Sequence, residues 1–134
     1  MVDVERVLRI LDGIRHDIEA LEGMRARSAE ATVLDAIKYR FVTAIEGSAR
    51  AAHHIVVSEG WRAPDSGADA FRALAEHGVI SDEAATDLGR AVGFRNVLVH
   101  RYAEVDDERV IAMLDRLDDL HAYVAAVAAW VAEQ

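Results

Sequence analysis

Apolar residues recur at alternating steps of three and four along almost the whole chain, a spacing that suits α-helices and little else. Val4, Val7, Leu11, Ile14, Ile18 and Leu21 form one sustained stripe. A second helix is predicted from about Glu30 to Ser58, with Leu34, Ile37, Phe41, Ile45 and Ile55 on its buried side and Gly60 past its end. In its middle, Ser48, Ala49, Ala51 and Ala52 are small enough to let another backbone approach. Residues 60–67 hold the only proline, Pro64, and read as the one substantial loop. Two short helices follow, Asp69 to His77 stopped by Gly78, and one capped by Ser81 that leads to Gly93. A last helix starts near Asp106 and repeats Val110, Leu114, Leu117, Val124, Val127 and Val131. Three long and two short helices without a strand pattern predict an all-α bundle, one domain over residues 1–134.

Composition narrows the chemistry. The chain has no cysteine, which rules out disulfides, thiolate metal sites and a cysteine nucleophile. Its first residues carry acids, unlike a signal peptide, and no apolar run approaches the ~20 residues that span a bilayer. A cytoplasmic protein with no membrane partner is expected. Net charge is −9, from 24 acidic against 15 basic residues, so nucleic acid is repelled at long range and any RNA contact must be local. Arg90, Arg95 and Arg101 fall close together in sequence, whereas acids gather in 82–87 and 106–119, so a locally positive cleft is expected.

The segment Arg95-Asn96-Val97-Leu98-Val99-His100-Arg101-Tyr102 concentrates a permanent cation, a carboxamide, an imidazole and a phenol. A site acting on a phosphodiester needs such a mixture, a fixed cation for the phosphorane beside a proton carrier. On a helical wheel Phe94, Val97 and Leu98 share the core face. Asn96 and His100 occupy one polar flank, and Arg95 and Tyr102, seven apart, the other. Arg95 and His100 then lie about 140° apart around the helix, so either Arg95 reaches around or a second subunit completes the pocket. Val99, apolar between the two flanks, hints at the same interface.

Other candidates carry less. His53 and His54 point about 100° apart on a helix and cannot share a metal. Asp118 and His121 have i, i+3 spacing but lack the further ligands of a metal bundle. Glu46 is expected to be a solvated carboxylate, with contact to the site across a dimer as the other reading, and Trp61 and Trp130 are too scattered to stack bases.

The Arg95-Asn96-x-x-x-His100-x-Tyr102 pattern resembles the signature of the HEPN superfamily, and within it the HepT toxins that pair with MntA-type minimal nucleotidyltransferase antitoxins. Ile14, Ile18 and Leu21, Ala44-Ile45-Glu46, His53-His54-Ile55, Pro64, Phe71, Leu74 and Gly78-Val79-Ile80 extend the likeness over almost the whole chain. The resemblance implies a HEPN-type bundle and a homodimeric, metal-independent endoribonuclease of a type II toxin–antitoxin system. Arg95 would hold the scissile phosphate, His100 would move the proton of the attacking ribose 2′-hydroxyl, and Asn96 would orient the site. Tyr102 would be AMPylated by the antitoxin, which uses ATP, and an anionic group there would fill the phosphate site. The toxin itself would need no cofactor, with RNA and not DNA as substrate. The other reading is a catalytically silent HEPN subunit that binds the nucleotidyltransferase.

Overall fold

The computed structural model describes residues 1–134 and is all-helical. Its helices are α1 (Val4–Met24), α2 (Ala31–Ser58), α3 (Gly67–Glu76), α4 (Asp82–His100), α5 (Asp107–Met113) and α6 (Leu117–Ala132). No helix is long and apolar enough to cross a membrane. Asp3, Ser66, Ser81 and Asp106 cap α1, α3, α4 and α5, each accepting a backbone N–H of the first turn. Gly60 and Gly78 end α2 and α3 with φ of 70° and 75°. After each, the next residue donates back across the turn, Trp61 to the Val56 carbonyl and Val79 to that of Leu74, the Schellman closure that only glycine forms without strain.

The all-helical expectation holds, but three boundaries move. α4 is not short; it runs 19 residues straight through Gly93, because Leu88, Ala91, Phe94 and Leu98 form one continuous buried stripe. α3 starts before Asp69, since Ser66 supplies the cap. The expected last helix divides at a 3-10 turn, Leu114–Arg116. There Arg25, beyond the end of α1, donates to the Leu114 carbonyl at 2.7 Å and pairs with Asp115. That carbonyl is satisfied from outside, so the chain tightens into the 3-10 turn without an orphaned acceptor.

One contiguous core joins all six helices. α2 is its axis. Gly47 lets Ile14 of α1 come so close that a Cβ there would meet Ile14 Cγ1 at 3.1 Å. On the same turn the fully buried Tyr123 of α6 donates to the Ser48 carbonyl at 2.8 Å, and its ring stacks edge-on against Phe71 of α3. Phe41 meets Phe94 edge-on, locking α4 to α2. A Cβ on Gly93, by contrast, would touch nothing. Gly93→Ala is therefore expected to raise the unfolding free energy by up to ~1 kcal/mol. Gly47→Val should lower it by about 1–3 kcal/mol through overpacking against Ile14, and urea titrations of the two variants check both signs.

Candidate active site

α4 runs antiparallel to α2 along the site, because Arg95 pairs with Glu46 near the middle of α2 whereas Tyr102, farther along the chain, pairs with Asp35 near its start. Phe94 and Leu98 are buried and Val97 half-buried, which leaves Asn96 and His100 exposed, as the helical phasing requires. Arg95 leans against α2. Its Nε donates to Glu46 Oε1 at 3.1 Å, Nη2 donates to the same oxygen, and Nη1 donates to Asn96 Oδ1 at 3.0 Å. Glu46 is thus not the free carboxylate expected from sequence; it fixes the guanidinium within one subunit. Nothing in local sequence could reveal this, since the pair is separated by 49 positions and exists only once α2 and α4 pack.

The structure changes the place of Tyr102. α4 ends at His100, Arg101 leaves helical geometry at φ −135° and ψ 40°, and Tyr102 opens a 3-10 turn, Tyr102–Glu104. It therefore does not share a helical flank with Arg95. Its hydroxyl donates to Asp35 Oδ1 at 2.6 Å, and its half-exposed ring lies against the Lys38 ammonium, 4.8 Å from the ring centre. Lys38 is buried and paired with Asp107 at 3.0 Å. The Asp35 hydrogen bond, desolvation and the charges of Asp35 and Asp107 all hold the phenol above its usual pKa, so it is a neutral donor at physiological pH. Asp35 and Glu46 are 11 residues apart on α2, so the phenol and the Arg95 guanidinium are anchored roughly 16 Å from each other.

The expected grouping of Arg90 with Arg95 is not seen, since the two are drawn to different carboxylates. Arg90 turns to Asp87 at 3.7 Å, beside an apolar cavity floored by Phe41, Leu88, Phe94 and Leu120. That cavity includes neither Arg95, Asn96 nor His100. Asn96 and His100 are exposed and Arg95 half-buried, while Glu46 lines the groove between α1 and α2. Apolar Tyr39 on α2 and Val99 on α4 are also exposed on this side, at 63% and 43%. No three His, Asp or Glu side chains converge to hold a metal, and His121 pairs with Glu22 at 2.6 Å, not with Asp118. His54 accepts from the Asp3 N–H at 3.4 Å and lies 3.3 Å from Ser58 Oγ, fastening the N-terminus to α2 and explaining its position without catalysis.

Comparison with known proteins places this geometry in a family. Residues 3–127 match the family described as Ribonuclease HepT-like. A protein of Archaeoglobus fulgidus named "Putative RNase" is 31% identical over 112 residues, 84% of each chain. The mRNA nuclease HepT of Shewanella oneidensis is 26% identical over 99 residues, 73% of this chain and 74% of that one. In fold, the chain is similar to a tri-AMPylated Shewanella oneidensis HEPN toxin solved in complex with an MNT antitoxin. The two share a TM-score of 0.86 and 22% identity, over 96% of this chain and 99% of the other. With a family match over nearly its full length and a relative of this identity, the chain belongs to the Ribonuclease HepT-like family.

Proposed function

We propose that this protein is the toxin of a type II toxin–antitoxin pair, a cytoplasmic, metal-independent endoribonuclease. The carrying observation is the held guanidinium of Arg95 about one and a half helical turns from the exposed imidazole of His100, in a chain of this family. His100 takes the proton of a ribose 2′-hydroxyl as it attacks the adjacent phosphorus, and Arg95 stabilises the charge that accumulates on the phosphorane oxygens. The P–O5′ bond breaks and the 5′-oxygen takes up a proton from solvent, giving a 2′,3′-cyclic phosphate and a 5′-hydroxyl end. Asn96 fixes Arg95 by accepting from Nη1, and Glu46 fixes it from α2.

Arg95 and His100 lie about 140° apart around α4, so one subunit alone does not aim both at one phosphodiester. A homodimer that covers Val99 would bring Arg95 and His100 of two subunits to a shared site and exclude water from it. Tyr102 is the residue we assign to AMPylation by a nucleotidyltransferase antitoxin of the MNT type. It is exposed, and Asp35 accepts its hydroxyl hydrogen bond. An adenylate attached there starts far along α2 from Arg95. It would therefore block RNA by bulk and charge along its path, and not by filling the phosphate position itself.

One observation favours a second reading, a binding subunit without nuclease activity. Three of the guanidinium's five N–H donors are already engaged by Glu46 and Asn96, and RNA must compete for what remains.

Expression without the antitoxin separates the two readings. Wild type is expected to arrest growth and to produce fragments with cyclic-phosphate and 5′-hydroxyl ends, whereas Arg95→Ala and His100→Ala each lose about 10²–10⁴-fold in cleavage rate. Intact RNA in the wild-type cells would establish the silent subunit instead. Glu46→Ala should lower kcat about tenfold without raising KM, because the cation is freed but no longer aimed; a rise in KM alone would assign Glu46 to substrate binding. Mass spectrometry after co-expression with the partner should find adenylate on wild type and none on Tyr102→Phe at that position, and an unmodified Tyr102 removes the AMPylation assignment.

A further inference from the structure

The acidic balance of the chain conceals an uneven distribution of paired and unpaired cations. Most basic side chains are tied into ion pairs, and Arg6, Arg9, Arg50, Arg101 and Arg109 are the ones without such a partner. Three of these five meet in one place. Arg6 and Arg9 of α1 and Arg50 of α2 line a surface depression that joins, through Ile10 and Arg50, a longer groove between the two helices. That groove contains His16, Tyr39 and Arg40 and passes Glu46, the carboxylate that holds Arg95.

The acids of the groove are already occupied. Asp3 caps α1 by accepting from the Arg6 N–H at 3.1 Å, buried Asp17 is bridged by Arg40 at 3.1 Å, and Glu46 is bridged by Arg95. The groove therefore presents unpaired positive charge although the molecule carries −9. Gly13 lies along it, and its missing side chain leaves open space beside the groove. Tyr39 leaves its ring exposed at the far end, where a base can stack. From Tyr39 to Arg50 the groove follows 11 residues of α2, roughly 16 Å, room for about four or five nucleotides at stacked spacing.

We infer that the α1/α2 groove is the track that binds single-stranded RNA beside the cleavage site, with Arg6, Arg9 and Arg50 on phosphates and Tyr39 under a base. This rests on the ribonuclease reading and extends it, since nothing in the Arg95 and His100 geometry requires this groove. The alternative occupant of such a surface is an acidic face of a protein partner, and the test separates them.

Binding of a short fluorescent single-stranded RNA to the His100→Ala protein, which cannot consume it, is measured by anisotropy across a salt series. Adding Arg6→Ala, Arg9→Ala and Arg50→Ala together should weaken binding about tenfold or more at physiological salt. It should also reduce the slope of log Kd against log salt by about 2, near 0.7 for each phosphate that is no longer neutralised. All three side chains are exposed, so the fold survives, and thermal melting checks it. A control with Arg27, Arg62 and Arg72, paired elsewhere on the surface, changed to alanine should leave binding unaltered; equal weakening would reduce the effect to net charge and overturn the assignment. Unchanged RNA binding with loss of the nucleotidyltransferase complex would give the groove to the partner. If the parent protein binds no RNA at all, the ribonuclease reading fails first and the track with it.

Discussion

The close approach of α1 to α2 at Gly47 is the constraint on which the remaining packing depends. With Ile14 pressed onto a residue that has no side chain, the two longest helices share a seam along which Asp17 meets Arg40 and Asp3 meets His54. The opposite side of the same α2 turn receives Tyr123, whose hydroxyl bonds to the Ser48 carbonyl while Ser48 Oγ returns to the Ala44 carbonyl at 2.8 Å. No buried side-chain polar atom is left without a partner. The phenol at the centre of the core is satisfied by that hydrogen bond, and burial drives the Tyr123 pKa upward.

From this seam the functional geometry follows. α2 carries the buried core stripe on one side and, on its exposed ridge, Asp35, Tyr39, Glu46 and Arg50. α4 packs antiparallel to it through Phe41 and Phe94, which sets Arg95 over Glu46 and brings the turn after His100 down to Asp35. The proposed catalytic cation and the proposed modification site are both anchored on one helix, about three turns apart.

Charge pairing resolves the tension between an acidic protein and the polyanionic substrate proposed for it. The acids of the α1/α2 groove are spent on a helix cap, on Arg40 and on Arg95, and much of the remaining negative charge lies elsewhere, around α5 and the start of α6. Net charge describes the long-range field; the local field of a groove is decided by which carboxylates are already neutralised.

Sequence alone determined that the chain is helical and where most helices begin, because apolar spacing and Ser or Asp caps are local properties; a glycine is a weaker signal, and α4 runs through Gly93. The caps at Ser81 and Asp106, the stops at Gly60 and Gly78 and the burial of Phe94 and Leu98 were all legible in this way, as was the likeness to the HEPN toxins in Arg95, Asn96, His100 and Tyr102. Tertiary structure alone decided what these side chains touch. A helical wheel continued to Tyr102 fails because α4 stops at His100, and the phenol is then captured by Asp35, 67 residues away. Glu46 is indistinguishable from any solvated glutamate until α4 arrives beside it, and the division of the last helix depends on Arg25 reaching Leu114 from 89 positions earlier. Periodicity encodes which face is buried, but a long-range hydrogen bond is encoded only in the distance that packing leaves between two side chains.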